Sequence, residues 1–572
     1  MIGASARVAR PSPTSGAPRA TTSTTRLGAA RSAAPEWAVG ARSGRLEREG
    51  AKCLGEVRRH IWGVTPRRSR AIGDSVKHLW SRKPIAELEA EARETNHGLK
   101  RTLSATQLVA LGVGAIIGAG LFVRTAAAAA NSAGPSVTLG FVIAAIGCAF
   151  AGLCYAELAS MLPIAGSAYT YTYATMGELI AWIIGWDLTL EYALGAATVA
   201  IAWSEYLNKL LAIFGTGIPY ALCHSPFQVD PETGAHGIIN LPALGILVVL
   251  TGLLVRGVQE SALINALIVI VKVAIVVLII AIGWSYIDPA NHTPYIPPPG
   301  EYTDKQGVTH AFGGAMGILG AAGIVFFAFI GFDAVSTAAQ EARNPKRDMP
   351  IGILGSLAVC TVLYVLFAHV LTGLAPVEFF RTTGSEASVA QAIERAMPNH
   401  KWLSNSVTVA ILGGFSSVIL VMLMGQSRVF YSLSRDGLVP PAFSELHPKF
   451  RTPWKSNLLF LCFVGAFAAF VPGDIVGDMT SIGTLFAFIL VSIGVWVLRV
   501  KEPNLKRPFR VPALPVVATC GVLTCGAMIF GLGWPNWARL GGWLAIGLVL
   551  YFCYGYKHSV LGRSLASSGA RN

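Results

Sequence analysis

A single lysine, Lys272, stands in the middle of the apolar run Ala266-Leu-Ile-Val-Ile-Val-Lys272-Val-Ala-Ile-Val-Val-Leu-Ile-Ile280. A cation at that depth in a membrane helix costs about 2.5–3.5 kcal/mol on insertion scales, so such a residue carries a partner or a function. Burial also favours the neutral amine, which lets Lys272 exchange a proton in the physiological range. A second set of ionisable groups sits in Trp186-Asp-Leu-Thr-Leu-Glu-Tyr192, where Asp187 and Glu191 are four residues apart and share one helical face. Glu191 can pair with Lys272, with a cationic substrate, or with a neighbouring helix. Glu157 lies near the end of another apolar span and reads as interfacial. The remaining chemistry is in glycine. Gly112, Gly114, Gly118 and Gly120 fall within nine residues, and Gly317, Gly320, Gly323 and Gly331 precede Asp333. Each costs roughly 1 kcal/mol relative to Ala in a helix.

Glycine-interrupted spans at corresponding places in two halves of a membrane protein point to a transporter site. Unwound backbone is tolerated at membrane depth only where protein buries it or a cavity receives it. Its freed N–H groups suit a carboxylate and its freed carbonyls an ammonium, together the head of an α-amino acid. The bland alternative is that the glycines let helices pack closely. Asp333 either caps the second half of its span or serves as an inner gate.

The elements that must hold these residues are long. The 572-residue chain is 53% hydrophobic and only 13% charged, against about 25% charged in soluble domains. Twelve apolar spans follow, near 103–124, 136–162, 178–206, 240–256, 260–287, 314–339, 351–374, 403–433, 456–472, 475–500, 512–532 and 537–557. Most exceed the length of strands and approach the roughly 20 residues that cross a bilayer. The fold class is therefore an all-α polytopic membrane protein. Residues 1–75 form a polar, Arg- and Ser-rich tail without the apolar core of a secretory signal; they read as disordered, mis-called or a transit peptide. Residues 76–102 form a cytoplasmic pre-membrane segment, with a short amphipathic helix over 83–95. Lys and Arg in alternate loops place both termini in the cytoplasm, and the net charge of +14 serves that orientation rather than nucleic acid. No phosphate-binding GxxxxGK[ST], HExxH or nucleophile elbow occurs, so ATP, a metal, a cofactor and an enzymatic role are not expected. The isolated His369 reads as a packed helix-face histidine.

These segments resemble the amino acid–polyamine–organocation superfamily, and within it the cationic amino acid transporter family and its bacterial relatives. The resemblance runs from about Leu99 to Tyr556. It is carried by Gly114-Ala-Ile-Ile-Gly-Ala-Gly-Leu-Phe122, Tyr155-Ala-Glu-Leu-Ala-Ser-Met-Leu-Pro-Ile-Ala-Gly-Ser-Ala-Tyr-Thr-Tyr171, Trp186-Asp-Leu-Thr-Leu-Glu-Tyr192, Phe326-Phe-Ala-Phe-Ile-Gly-Phe-Asp333, Gly425-Gln-Ser-Arg428 and Ser434-Arg-Asp-Gly437. It implies a five-plus-five inverted repeat with discontinuous helices 1 and 6 in residues 103–500, helices 11 and 12 in 501–557, and a cytoplasmic tail at 558–572. By analogy Ile117, Gly118, Ala119 and Gly120 offer backbone to a substrate carboxylate. Ala328, Phe329 and Ile330 take the amino group, with Phe329 as a lid, and Asp333 and Glu191 complete the site. Lys272 matches the position where an ammonium replaces sodium, which implies proton coupling or exchange. Phe415 in span 8 would shorten the side-chain pocket. The expected activity is secondary transport of L-α-amino acids, cationic (arginine, lysine, ornithine) or small and neutral (alanine), across the cell membrane by alternating access. A sensor or channel on the same scaffold is the alternative class.

Overall fold

The computed structural model describes residues 78–84, 103–162, 167–230, 233–257, 262–303, 309–339, 342–383 and 388–569. The N-terminal tail and nearly all of the expected 83–95 helix lie outside the described residues.

Among the described residues, fourteen of the helices carry the architecture. They are α1 (Ala105–Ile116), α2 (residues 120–133), α3 (Val137–Met161), α4 (Ser167–Thr175), α5 (Glu178–Ile213), α6 (Leu241–Val255), α7 (Ala262–Gly283), α8 (Gly314–Val325), α9 (Pro345–Leu374), α10 (Lys401–Arg435), α11 (Trp454–Phe470), α12 (Gly473–Lys501), α13 (Leu514–Gly531) and α14 (Trp534–Leu550). Among the described residues, eight helical runs are long and apolar enough to cross a membrane, and four shorter apolar helices accompany them. Val249 of α6, Leu267 and Ile270 of α7 and Val362 of α9 are exposed, an apolar outer surface that suits lipid.

The first break falls where the glycine string is densest. α1 starts at a capping box, Ser104 with Gln107, which satisfies the end's free N–H groups. It stops at Ile117, whose φ of −71° and ψ of 105° leave the helix. Helical backbone resumes at Gly120 with a π turn through Arg124. The second break is its counterpart: α8 tightens into a 3-10 turn over Phe326–Phe329, Ile330 turns extended (ψ 135°), and Gly331 adopts φ 113°. That left-handed value favours glycine. A further 3-10 turn, Asp333–Ala338, follows. The two breaks touch. A Cβ on Gly120 would lie 2.2 Å from Ala328 Cα, and one on Gly331 would lie 2.9 Å from Ala115 O.

α5, the longest helix, is buried along most of its length and packs on α10, α12 and α11. α14 is fastened to it by stacked Trp186 and Trp543 (4.3 Å), whose indole N–H groups donate reciprocally to each other's carbonyls at 2.9 and 3.3 Å. The described residues also contain a feature outside the all-α expectation. A two-stranded antiparallel ribbon, β1 (Gly300–Thr303) and β2 (Thr309–Phe312), lies between α7 and α8. Arg381 anchors it by placing its guanidinium 4.1 Å from the Tyr302 ring and 4.4 Å from Phe312.

Candidate functional site

Between the first break, α7 and α10 lies a small cavity of ≈ 10 Å³, lined by Ile117, Gly118, Phe122, Lys272, Ile275, Ala410, Ile411, Gly414 and Phe415. It has room for about one water. Of the residues singled out in the sequence, Ile117, Gly118, Lys272 and Phe415 meet here. Lys272 is 4% exposed, and its Nζ donates to Gly114 O at 3.1 Å. That carbonyl lies in the last turn of α1, where the helix no longer supplies donors. Gly114 and Gly414 let the lysine lie flat: added Cβ atoms would sit 2.2 Å from Val269 Cγ2 and 2.7 Å from Lys272 Cε. On the opposite side Tyr364 of α9 donates to Ile116 O at 3.0 Å. The break in helix 1 is thus held by side-chain donors on both flanks.

Aromatic rings close the cavity. Phe415 packs edge-on against Tyr206 (5.7 Å) and lies 6.4 Å from Phe122. Apart from Lys272, the side chains lining it are apolar.

Ala119, Gly120, Ala328, Phe329 and Ile330 are not in the cavity wall. Gly120 and Ala328 meet backbone to backbone, and Phe329 is turned toward Phe141 (6.2 Å) and Tyr364 (5.4 Å). In this arrangement the Phe329 ring is packed in the core. Asp333 is the first residue of its 3-10 turn, whose N-cap is Phe332, so it does not cap; it accepts from Tyr192 OH at 3.2 Å. Glu191 is buried, with Asp333 and Thr484 of α12 as its neighbours.

Glu157, near the end of α3, is 1% exposed, ion-paired with Arg499 and, at 3.2 Å, with Arg507, and it accepts from Val511 N–H at 2.8 Å. His369 packs as expected, its ring 4.5 Å from His292 and 5.5 Å from Trp284. Three polar clusters escaped the sequence reading. Arg124, 2% exposed, pairs with Asp474 (3.1 Å) and Asp478 of α12. Lys83 bonds Asp436 at 2.8 Å, and Tyr169 donates to the same carboxylate at 2.5 Å. Glu178 accepts from Tyr173, Tyr551 and Ser559. Arg124 follows directly on the glycine string, the one signal that marked it.

A family model described as amino acid permease matches residues 103–550. The chain is 43% identical to the branched-chain amino acid permease BcaP of Bacillus subtilis, over 84% of this chain and 99% of that protein. It is 39% identical to the methylthioribose transporter of the same organism, over 85% and 99%. To the vacuolar cationic amino acid transporter 4 of Arabidopsis thaliana it is 33% identical, over 74% and 68%.

Proposed function

Because the chain belongs to the amino acid permease family of the amino acid–polyamine–organocation superfamily, a multi-pass membrane transporter and not an enzyme, we propose that it carries neutral amino acids with aliphatic side chains by alternating access. The observation that carries this choice is the cavity lining: one ammonium, Lys272, among apolar side chains. A cationic side chain about 5 Å from that ammonium would be repelled by about 3 kcal/mol at an effective dielectric of about 20. Leucine, isoleucine or valine meets no such cost. This reading takes the neutral alternative of the expected substrates and enlarges it from alanine to branched side chains.

In the proposed cycle, residues 103–500 are the five-plus-five repeat of ten spans. Residues 501–557 add helices 11 and 12, giving twelve, and 558–572 form a tail on the cytoplasmic side of the cell membrane with the N-terminus. The backbone of Ile117, Gly118, Ala119 and Gly120 receives the substrate carboxylate once Phe415 and Phe122 separate. The carbonyls of Ala328, Phe329 and Ile330 receive its ammonium, and Glu191 and Asp333 respond at the second break. Loss of a proton from Lys272 would release Gly114 O, so the residue links protonation to opening of helix 1. The experiment is uptake into proteoliposomes of labelled leucine, valine, alanine and arginine, with methylthioribose, which one relative's name specifies, as a further candidate. Leucine or valine ahead of arginine is the expected order. Arginine ahead, or binding without flux, defeats the reading.

A further inference from the structure

The connection between α5 and α6 carries a side-chain cluster that the transport site does not use. Cys223 closes a short helical turn, Tyr220–Cys223, and His224 follows it. The imidazole is held on two sides: its Nε2 lies 2.7 Å from Oε1 of Glu205 on α5, and its ring stacks on Tyr220 at 3.7 Å and 10°. Its Nδ1 faces two atoms at once, Cys223 Sγ at 3.3 Å and Tyr220 O at 3.2 Å, and those two are 3.7 Å apart. Sulfur, nitrogen and oxygen thus stand at the corners of one triangle. Zinc bonds of about 2.3 Å to sulfur, about 2.0–2.1 Å to a histidine nitrogen and about 2.0–2.2 Å to oxygen set tetrahedral edges of about 3.4–3.6 Å. All three separations match the corresponding edges to within about 0.3 Å.

The groups behind these three atoms suit a metal as well. The Glu205 carboxylate calls for a proton on Nε2, which leaves the Nδ1 lone pair directed into the triangle; a carboxylate in that place is the usual orienting partner of a metal-bound histidine. Asn208 Oδ1 accepts from Ile218 N–H at 2.7 Å, which turns the amide nitrogen to the sulfur, and Nδ2 donates to Cys223 Sγ at 3.7 Å. A sulfur that receives an N–H suits a thiolate. Glu205 and Asp230 both act on Tyr220, so two carboxylates face the turn, an attraction for a dication. Among the described residues no three His, Cys, Asp or Glu side chains converge as a complete metal cage; here a backbone carbonyl is the third donor and a water would be the fourth. The other use of such an array, a nucleophilic thiol, needs a cleft for its substrate. Cys223 is 1% exposed, so a bare ion fits where an organic substrate does not.

We propose that Cys223, His224 and the Tyr220 carbonyl form a binding site for a thiophilic dication, zinc or cadmium, with Glu205 as the residue that positions the imidazole. The Cys223 S–H proton leaves to water as the metal–sulfur bond forms, and Nδ1 binds through its lone pair, shedding its proton to water first where the imidazole is charged. The bound ion would staple the connection to α5 through the His224–Glu205 contact. The site stands apart from the Lys272 cavity and does not depend on which substrate is carried.

Cadmium titrated into the full chain in detergent micelles tests the site, because a cadmium–sulfur bond gives an ultraviolet charge-transfer absorption. A single equivalent should raise that band and zinc should displace it. The band should survive Cys462→Ser combined with Cys553→Ser, which removes the two exposed thiols. Cys223→Ser should abolish it, His224→Gln should weaken binding, and Glu205→Gln should keep the band while lowering cadmium affinity by about 10–100-fold. No saturable band in the unmodified chain, a band that persists in Cys223→Ser, or undiminished affinity in His224→Gln overturns the proposal. Undiminished affinity in Glu205→Gln overturns the role given to that carboxylate. The unmodified chain decides the first point even if a variant misfolds.

Discussion

Replacing Lys272 with Met tests the electrostatic argument for substrate choice. The buried ammonium donates to Gly114 O at 3.1 Å. Met fills a similar volume and removes a charge whose placement at mid-membrane costs about 2.5–3.5 kcal/mol. The lost hydrogen bond to a charged donor contributes about 1.5–3 kcal/mol, so the two terms offset and the thermal midpoint should change little. Selectivity should change a great deal. The repulsion of about 3 kcal/mol between Lys272 and a cationic side chain corresponds to roughly two orders of magnitude in relative affinity. K272M should raise the arginine-to-leucine ratio in competition uptake by up to that factor, and it should flatten the response of uptake to a pH gradient. The reasoning fails if K272M leaves both the ratio and the pH response where they were.

Gly120→Ala places a Cβ 2.2 Å from Ala328 Cα, a backbone clash that no rotamer relieves; it should cost about 1–3 kcal/mol in thermal stability and abolish uptake. Glu157→Gln leaves Arg499 and Arg507 without their buried countercharge and should destabilise by up to about 3–5 kcal/mol, read as a lower melting temperature in detergent. His224, in the connection after α5, is pushed up to about 10: burial opposes its charge, but the Cys223 thiol and the Glu205 carboxylate at 2.7 Å more than compensate. The folded-state value exceeds the usual one of about 6.5, so its contribution to stability is complete below that pH and is lost as pH rises through about 10. Glu205→Gln should remove that alkaline decline from a melting-temperature profile.

The span positions were legible because lipid imposes a length and an apolarity that few other structures need. Spans 9 and 10 came apart at Pro472 as their short connection suggests. The two breaks were legible for a different reason. Glycine strings weaken a helix locally, and Gly120 and Gly331 are where two backbones must meet. Lys272 announced itself as a charge in the middle of an uninterrupted apolar run. What stayed hidden depends on residues far apart in the chain: Arg124 finds its carboxylates 350 and 354 positions away, and Glu157 finds Arg499 342 positions away. Glu157 therefore read only as interfacial, and its fastening of α3 to the end of α12 stayed hidden. Side-chain direction was equally out of reach. Phe329 sits in the motif of the second break, but its ring turns to Phe141 and Tyr364, whereas Phe122, which ends the motif of the first break without a role assigned there, and Ile275, which no motif marks, line the cavity.

An electron cryomicroscopy map of the full chain with L-leucine would test the central claim most directly. The account places the ligand's carboxylate at the backbone of residues 117–120, its ammonium at the carbonyls of 328–330 and its side chain against Phe415 and Ile275, with Phe122 displaced. Ligand density away from both breaks, or two uninterrupted helices in their place, would contradict it.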